Sequence, residues 1–258
     1  MVKNTKSNTK LAILCSDDYH HKYLINYLCE RHNVVVVITE PYKNQLSNLL
    51  KKKKYKDLFY YRYHFYRRKI VGYDRYRRDF FRFTKNIDTC LETHIVMSIN
   101  DSVTSSLLSQ YKPDVTVVMG TGILNNPIIE KAGQIINIHG GYLPDYRGNH
   151  CFFFALYNRD FDKIGSTIHF INAGIDKGDI ICHIIPTITK NDNPETLYSK
   201  SEKEAIHKLS LLIKSYEQGE EFPRQKQLFY GKLYKMRDRG ICKDVSFFFR
   251  RKNFCIRK

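Results

Sequence analysis

The sequence predicts an α/β fold: a mostly parallel sheet with helices on both faces, a basic helical insert and a short C-terminal appendage. Three observations carry this. Short, continuously apolar runs recur at LAILC (11–15), NVVVVITEP (33–41) and DVTVVMG (114–120), the composition of strands buried on both faces. Segments with a helical apolar stripe lie between such runs. The two kinds alternate along the first half of the chain, as parallel strands joined by crossover helices require.

The elements follow in order. After the first strand, HHKYLINYLCER (20–31) places Tyr23, Leu24, Tyr27 and Leu28 on one helical face. The second strand is 33–41. HIVMSI (94–99) reads as the third. SVTSSLLSQY (102–111) is a helix that Lys112-Pro113 ends. The fourth strand is 114–120, and IINIH (135–139) is the fifth. Beyond His139 the pattern changes. CFFFALYN (151–158) reads as a helix packed by its aromatics, and STIHFIN (166–172) and DIICHIIPTI (179–188) as two more strands. A long helix from Pro194 to Tyr216 puts Ala205, Leu209, Leu212 and Tyr216 on one face. The remainder is basic and aromatic, with turn signals at Gly219, Gly231 and Gly240, and reads as a small appendage. The expected organisation is a flexible N-terminus (1–9), a main domain (10–190) carrying the insert (43–90), and a C-terminal helix with appendage (191–258).

The 258 residues suffice for one substantial domain, and 42% hydrophobic with 27% charged residues is ordinary for a soluble one. No apolar run reaches the length of a membrane span. The polar MVKNTKSNTK leads into an apolar stretch too short for a signal peptide, so a cytoplasmic location is expected. The seven cysteines are scattered and never form CxxC, which points to reduced, mostly buried thiols, with no disulfide framework and no metal site. The formal charge is +17 and unevenly spread: residues 51–85 hold fourteen Lys or Arg against Asp57, Asp74 and Asp79, a surplus of +11. This stretch interleaves Tyr and Phe with the cations and could form one or two helices broken at Gly72. Such a segment can bind an anion or nucleic acid. It can equally be a helical excursion whose rings cover the main domain and whose cations are solvated.

The chemistry concentrates at the end of the fifth strand. Alternation puts Asn137 and His139 on one side and Ile136 and Ile138 on the other. Two polar side chains at the end of a buried strand are costly unless satisfied or used. No GxGxxG and no P-loop follow the first strand, where LCSDDYHH stands instead, so dinucleotide binding is not expected there. The polar pieces are GTGILNNP (120–127), NIHGGYLPDYRG (137–148), GSTIH (165–169) and INAGIDKGDII (171–181). Ligand sites of open α/β sheets lie at the carboxyl ends of strands, where the first two pieces fall. By itself His139 could be a satisfied strand-end histidine and Asp176 a turn residue beside Gly178. His169 reads as structural, and His20 and His21 as a polar helix start.

With Asn137-Ile138-His139, then Leu143-Pro144-Asp145-Tyr146-Arg147-Gly148, then Gly174-Ile175-Asp176-Lys177-Gly178, the sequence resembles the N10-formyltetrahydrofolate-dependent formyltransferases. These comprise methionyl-tRNA, glycinamide ribonucleotide and sugar N-formyltransferases. The Gly165-Ser166-Thr167-Ile168-His169 strand start matches as well, and the resemblance covers roughly residues 10 to 190. It implies a Rossmann-like fold and transfer of a formyl group from N10-formyltetrahydrofolate to a primary amine, with no metal and no covalent enzyme intermediate. It assigns Asn137 as donor to the developing oxyanion, His139 as proton acceptor from the amine or, when charged, as a further donor to the oxyanion, and Asp176 as the group that orients the imidazole and relays a proton through water. By the same resemblance the folate ring is held by Gly120, Thr121, Gly122, Ile123 and Leu124 together with Gly174 and Ile175. Tyr146 and Arg147 are candidates for contacts with the substrate or the acidic folate tail.

For the acceptor, the family implies three choices. The forty or so residues after Tyr216 are too few for the extra C-terminal barrel of methionyl-tRNA formyltransferases. Glycinamide ribonucleotide formyltransferases usually read Asp-x-Gly-Pro where this chain reads Asp176-Lys177-Gly178-Asp179, and lack a long basic excursion. The sugar N-formyltransferases fit best, with a nucleotide-linked amino-deoxy sugar as acceptor and a homodimer as a possible assembly. Nucleic acid bound through 51–85 is the less favoured partner. A non-catalytic nucleic-acid-binding protein on the same fold is the alternative of a different class.

Overall fold

The computed structural model describes residues 8–82, 92–172, 174–189 and 192–250. Most of the expected flexible N-terminus, and residues 83–90 of the insert, therefore lie outside the described residues. The chain runs β1 (Leu11–Cys15), α1 (Tyr19–Arg31), β2 (Val34–Thr39), α2 (Tyr42–Lys51), α3 (Tyr55–Ile70), α4 (Tyr73–Phe80), β3 (Thr93–Ile95), α5 (Ser102–Tyr111), β4 (Val115–Met119), α6 (Asn126–Ile129) and β5 (Gln134–His139). It continues through β6 (Tyr146–Gly148), α7 (Cys151–Asn158), β7 (Ser166–Phe170), β8 (Ile180–Ile184), α8 (Pro194–Glu217), β9 (Lys232–Tyr234) and α9 (Ile241–Arg250).

Seven strands form one sheet in the order β3-β2-β1-β4-β5-β7-β8. The first five are parallel, and β7 and β8 are antiparallel. Order reverses between β1 and β4, with the carboxyl end of β5 beside them, which is the place where open α/β sheets bind ligands. Both faces are covered. Leu11, Ile13, Ile136 and Ile138 pack with Leu24 and Leu28 of α1 and with Ala205, Leu209 and Ile213 of α8. Ala12, Leu14, Val36 and Ile38 pack with Leu108 of α5 and Ile128 of α6. No helix among the described residues is long and apolar enough to cross a membrane.

The third strand is shorter than 94–99. Thr93–Ile95 pairs with β2 at the sheet edge, and a last backbone bond runs from Val96 N to Thr39 O at 2.9 Å. Side-chain acceptors then take the backbone N–H groups: Glu40 Oε2 accepts from Ile99 N at 2.9 Å, and Asp101 Oδ2 from Ser98 N at 2.8 Å. Carboxylates that satisfy backbone donors end the ladder there.

Within 51–82 the basic stretch forms two helices, α3 and α4, separated at Gly72 (φ +69°) as expected, and α2 precedes them at the start of the insert. One side of α3 stacks Tyr61 and Phe65 on Tyr42. Another meets the appendage, where Tyr63 donates to Asp244 at 2.7 Å. Its cations divide. Arg68 Nη1 donates to Asp18 Oδ2 at 2.7 Å, at the cap of α1. Arg77 is 1% exposed and pairs with Glu202 of α8 at 2.7 Å. The other cations of residues 51–82, apart from Arg67, are exposed.

A buried ion pair that loses one partner leaves an uncompensated charge. Arg77→Met or Glu202→Leu alone should therefore cost about 3–5 kcal/mol, and the double replacement clearly less than the sum. Urea unfolding of the four proteins in the cycle checks this. Additive losses would show that the pair does not act as a unit.

Candidate active site

Asn137 and His139 lie on β5 directly opposite His169 and Thr167 of β7. Both strands alternate, so these four side chains share one face of the sheet, away from Ile136 and Ile138. The chain then leaves β7 near Ile135, where Ile171 N donates to Ile135 O at 2.9 Å. The β7–β8 connection folds back over that face and carries Asp176 with it. Its return to the sheet is close: a Cβ on Gly178 would collide with the Phe170 carbonyl, which explains a glycine two residues after the aspartate.

Asp176 (φ +52°) sits between two histidines. Its Oδ2 is 3.7 Å from His139 Nδ1, and its Oδ1 is 3.7 Å from His169 Nε2. Neither distance is a hydrogen bond. The carboxylate is instead anchored by Gly148 N, which donates to Oδ2 at 2.7 Å. The last glycine of Leu-Pro-x-x-x-Gly thus binds the aspartate of Gly-x-Asp-x-Gly, and the two motifs interlock.

Backbone partners assign the tautomers. His139 Nε2 lies 3.0 Å from the Tyr146 carbonyl, so Nε2 carries the proton and Nδ1 presents its lone pair towards Asp176 in the neutral ring. His139 is 7% exposed. His169 Nδ1 lies 2.8 Å from the Phe170 carbonyl, so its Nε2 accepts from Asn137 Nδ2 at 3.0 Å. This turns the amide nitrogen of Asn137, not its oxygen, towards the histidine. Burial and then the neighbouring His139 push the His169 pKa down to about 4, so the ring is neutral near pH 7.

The loop after His139 is held from the same strands. Thr167 Oγ1 accepts from Leu143 N at 3.0 Å and donates to Gly141 O at 2.7 Å. His183 of β8 donates to Leu143 O at 2.7 Å and stacks on Tyr142. Gly141 must be a glycine, because a Cβ there would collide with Cys151 and crowd His139 Nε2.

Sequence reasoning brings Asn137, His139 and Asp176 to one place, and the structure puts them there through His169 and Gly148. The loop Gly120–Leu124 follows β4 and borders the end of β5. Gly120 lies against His21, Thr121 Oγ1 donates to Gly122 O, Ile123 is exposed and Leu124 is buried in the core with Leu108 and Ile128. Gly174 and Ile175 precede Asp176, and Ile175 is exposed. Tyr146 and Arg147 both have partners within the protein. The Tyr146 hydroxyl donates to Asp160 inside the aromatic cluster of α7. Arg147 is buried, and its guanidinium donates to Ile175 O at 2.8 Å and Gly231 O at 3.4 Å. It clamps the aspartate turn. Gln227 does the same from the appendage, donating to Asp176 O at 3.0 Å and Gly178 O at 2.6 Å.

His169, Thr167, His183 and Gln227 are site residues that sequence reasoning did not assign. For the first two the signal was present: Thr167 and His169 alternate on their strand just as Asn137 and His139 do. What was missing is that the strands are antiparallel neighbours. Among the described residues no group of His, Cys, Asp or Glu is arranged to hold a metal ion.

A doubly wound α/β sheet with an Asn–His–Asp cluster over the end of its fifth strand defines the class. The family model described as formyl transferase matches residues 10–213, and the chain belongs to that family. Curated relatives include a methionyl-tRNA formyltransferase of Methylacidiphilum infernorum, 34% identical over 43% of this chain and 37% of that one. Another is the phosphoribosylglycinamide formyltransferase of Escherichia coli, 29% identical over 40% of this chain and 50% of that one. The matched segment thus spans only about a third to a half of these relatives. Solved structures with this fold include a 4-N formyltransferase from Francisella tularensis (TM-score 0.56, 17% identity, 89% of this chain and 77% of that one). A sugar N-formyltransferase from a Shewanella species also has it (TM-score 0.57, 13% identity, 94% and 87%).

Burial holds His21, His64 and His169 each at a pKa of about 4. Unfolded histidines titrate near 6.5. Between these values the unfolded chain takes up protons that the folded chain refuses, so this part of the stability is complete above about pH 6.5 and is lost as pH falls towards 4. The urea midpoint should be lower at pH 5 than at pH 7. An unchanged midpoint would contradict the neutral buried rings.

Proposed function

We propose that this chain transfers a formyl group from N10-formyltetrahydrofolate to the primary amine of a nucleotide-linked amino-deoxy sugar. The observation that carries the reaction is His139. Its Nε2 is occupied by the Tyr146 carbonyl, and its Nδ1 lone pair faces Asp176 across a gap of 3.7 Å. That nitrogen is the proton acceptor for the attacking amine. The imidazolium that forms gains the Asp176 carboxylate as its counter-charge, and Gly148 N keeps the carboxylate from swinging away.

Asn137 serves the oxygen that gains charge. One N–H of its amide is committed to His169, which fixes the plane of the group. The second N–H is the donor to the formyl oxygen. A group positioned before the reaction stabilises charge without reorganising.

The residues present fit the flat ring of the formyl donor. Gly122 has open space where a Cβ would stand, and Ile123 and Ile175 expose aliphatic side chains on the two loops beside the site. Backbone of Gly120–Leu124, Gly174 and Ile175 would hold the ring. When bound, the donor supplies the activated formyl carbon. Arg147 and Gln227 act earlier, fixing the turn that Ile175 and Asp176 share.

Support for the sugar acceptor comes from the solved 4-N and sugar N-formyltransferases, whose fold matches this chain over 89% and 94% of its length, beyond the family segment. The test is direct. The purified chain is given N10-formyltetrahydrofolate with a panel of dTDP- and UDP-linked amino sugars, glycinamide ribonucleotide and methionyl-tRNA, and mass spectrometry follows the gain of one formyl group. A formylated sugar is expected. Formylation of tRNA or of glycinamide ribonucleotide instead would replace the acceptor and keep the reaction. His139→Ala should lower kcat by about 10²–10⁴ and Asn137→Ala by about 10²–10³. Asp176→Asn should also abolish most turnover, with melting temperatures of all three close to the parent. Turnover retained in both the His139 and Asp176 variants would sink these roles.

A further inference from the structure

The basic insert does more than cover the domain. Two of the three sides of α3 are engaged, one with Tyr42 and Asp18, the other with the appendage through Tyr63 and Asp244. The third side carries Tyr55, Phe59, Arg62, Tyr66 and Ile70, at helical spacing, and all are exposed. Phe59 is 60% exposed, Tyr66 53% and Ile70 84%. The stripe runs roughly 23 Å along the helix. Val71 and Leu50 extend it at the two ends, and both are exposed. Beside it stand seven exposed cations, Lys51 to Lys54, Lys56, Arg62 and Lys69, with Asp57 as the lone acid of residues 51–70.

We propose that this face of α3 docks on an anionic lipid surface, with its aromatic and aliphatic side chains in the interface and its cations among the headgroups. Charge decides the occupant. A second copy of the same face would bring like charges together. A nucleic-acid backbone would answer the cations and stack on rings, but it offers nothing to Ile70, Val71 and Leu50. An in-plane helix with an apolar stripe and flanking lysines matches the boundary between headgroups and acyl chains, where tyrosine rings are also favoured. Each cation near an anionic membrane strengthens binding about fivefold, so seven suffice for reversible attachment without any spanning segment. A second stripe on α9, with Ile241, Val245 and Phe249 exposed, lies on the helix whose Asp244 receives Tyr63 of α3. The inference does not depend on the acceptor amine.

The chain has no tryptophan, so Phe59→Trp installs a single emitter on the stripe. With vesicles of phosphatidylcholine containing about one-third phosphatidylglycerol, its emission should shift to the blue and the protein should sediment with the lipid. Phosphatidylcholine alone should do neither. Phe59→Ser with Ile70→Ser should weaken sedimentation by about tenfold or more at an unchanged melting temperature. Three results would each overturn the proposal: no blue shift with the anionic vesicles, serine variants that bind like the parent, or preference for a short RNA over the vesicles.

Discussion

The contact on which the site depends is the hydrogen bond from Gly148 N to the Asp176 carboxylate. Without it the aspartate would sit on a left-handed turn with only two distant imidazoles for company. A charged acceptor on a backbone N–H is among the stronger hydrogen bonds, and it ties two segments that are 28 residues apart. The rest of the arrangement protects that bond. Arg147 and Gln227 hold the carbonyls on either side of Asp176, Thr167 and His183 hold the loop before Gly148, and Gly141 and Gly178 let both segments approach the sheet.

The polar residues form a chain of fixed orientations. The Phe170 carbonyl fixes the tautomer of His169, which turns the amide of Asn137; the Tyr146 carbonyl fixes the tautomer of His139, which aims Nδ1 at Asp176. In each case a backbone group, the least mobile part of the protein, decides which atom of a side chain faces the site. Neutral His169 matters here. A second positive ring beside His139 would compete for the same carboxylate, and burial keeps it uncharged.

The insert shows the same economy of charge at larger scale. Its +11 surplus is not one surface. Arg68 and Arg77 are turned inward to Asp18 and Glu202 and attach α3 and α4 to the domain, while the lysines of 51–54 and their neighbours on α3 remain in solvent. The inward cations locate the helices; the outward ones, with Phe59 and Ile70, are what a partner would meet.

Much of this was legible in the amino-acid order. Continuous apolar runs marked β1, β2 and β4, and helical stripes marked α1 and α8, because periodicity is a property of neighbouring residues, while Asn137, His139 and Asp176 stood out as a set through the resemblance of their motifs to the formyltransferases. The sequence by itself therefore determined the α/β class and the order of the main strands and helices, but not the short elements α6, β6, β9 and α9. Tertiary structure alone decided the pairing of β5 with β7, which turned His169 and Thr167 into partners of the site. It also gave Tyr146 and Arg147 partners within the protein, one in the α7 cluster and the other at the Ile175 carbonyl. It divided the cations of the insert between ion pairs and solvent. Each of these depends on which distant segment lies opposite, and residue type and spacing do not encode that in any local pattern.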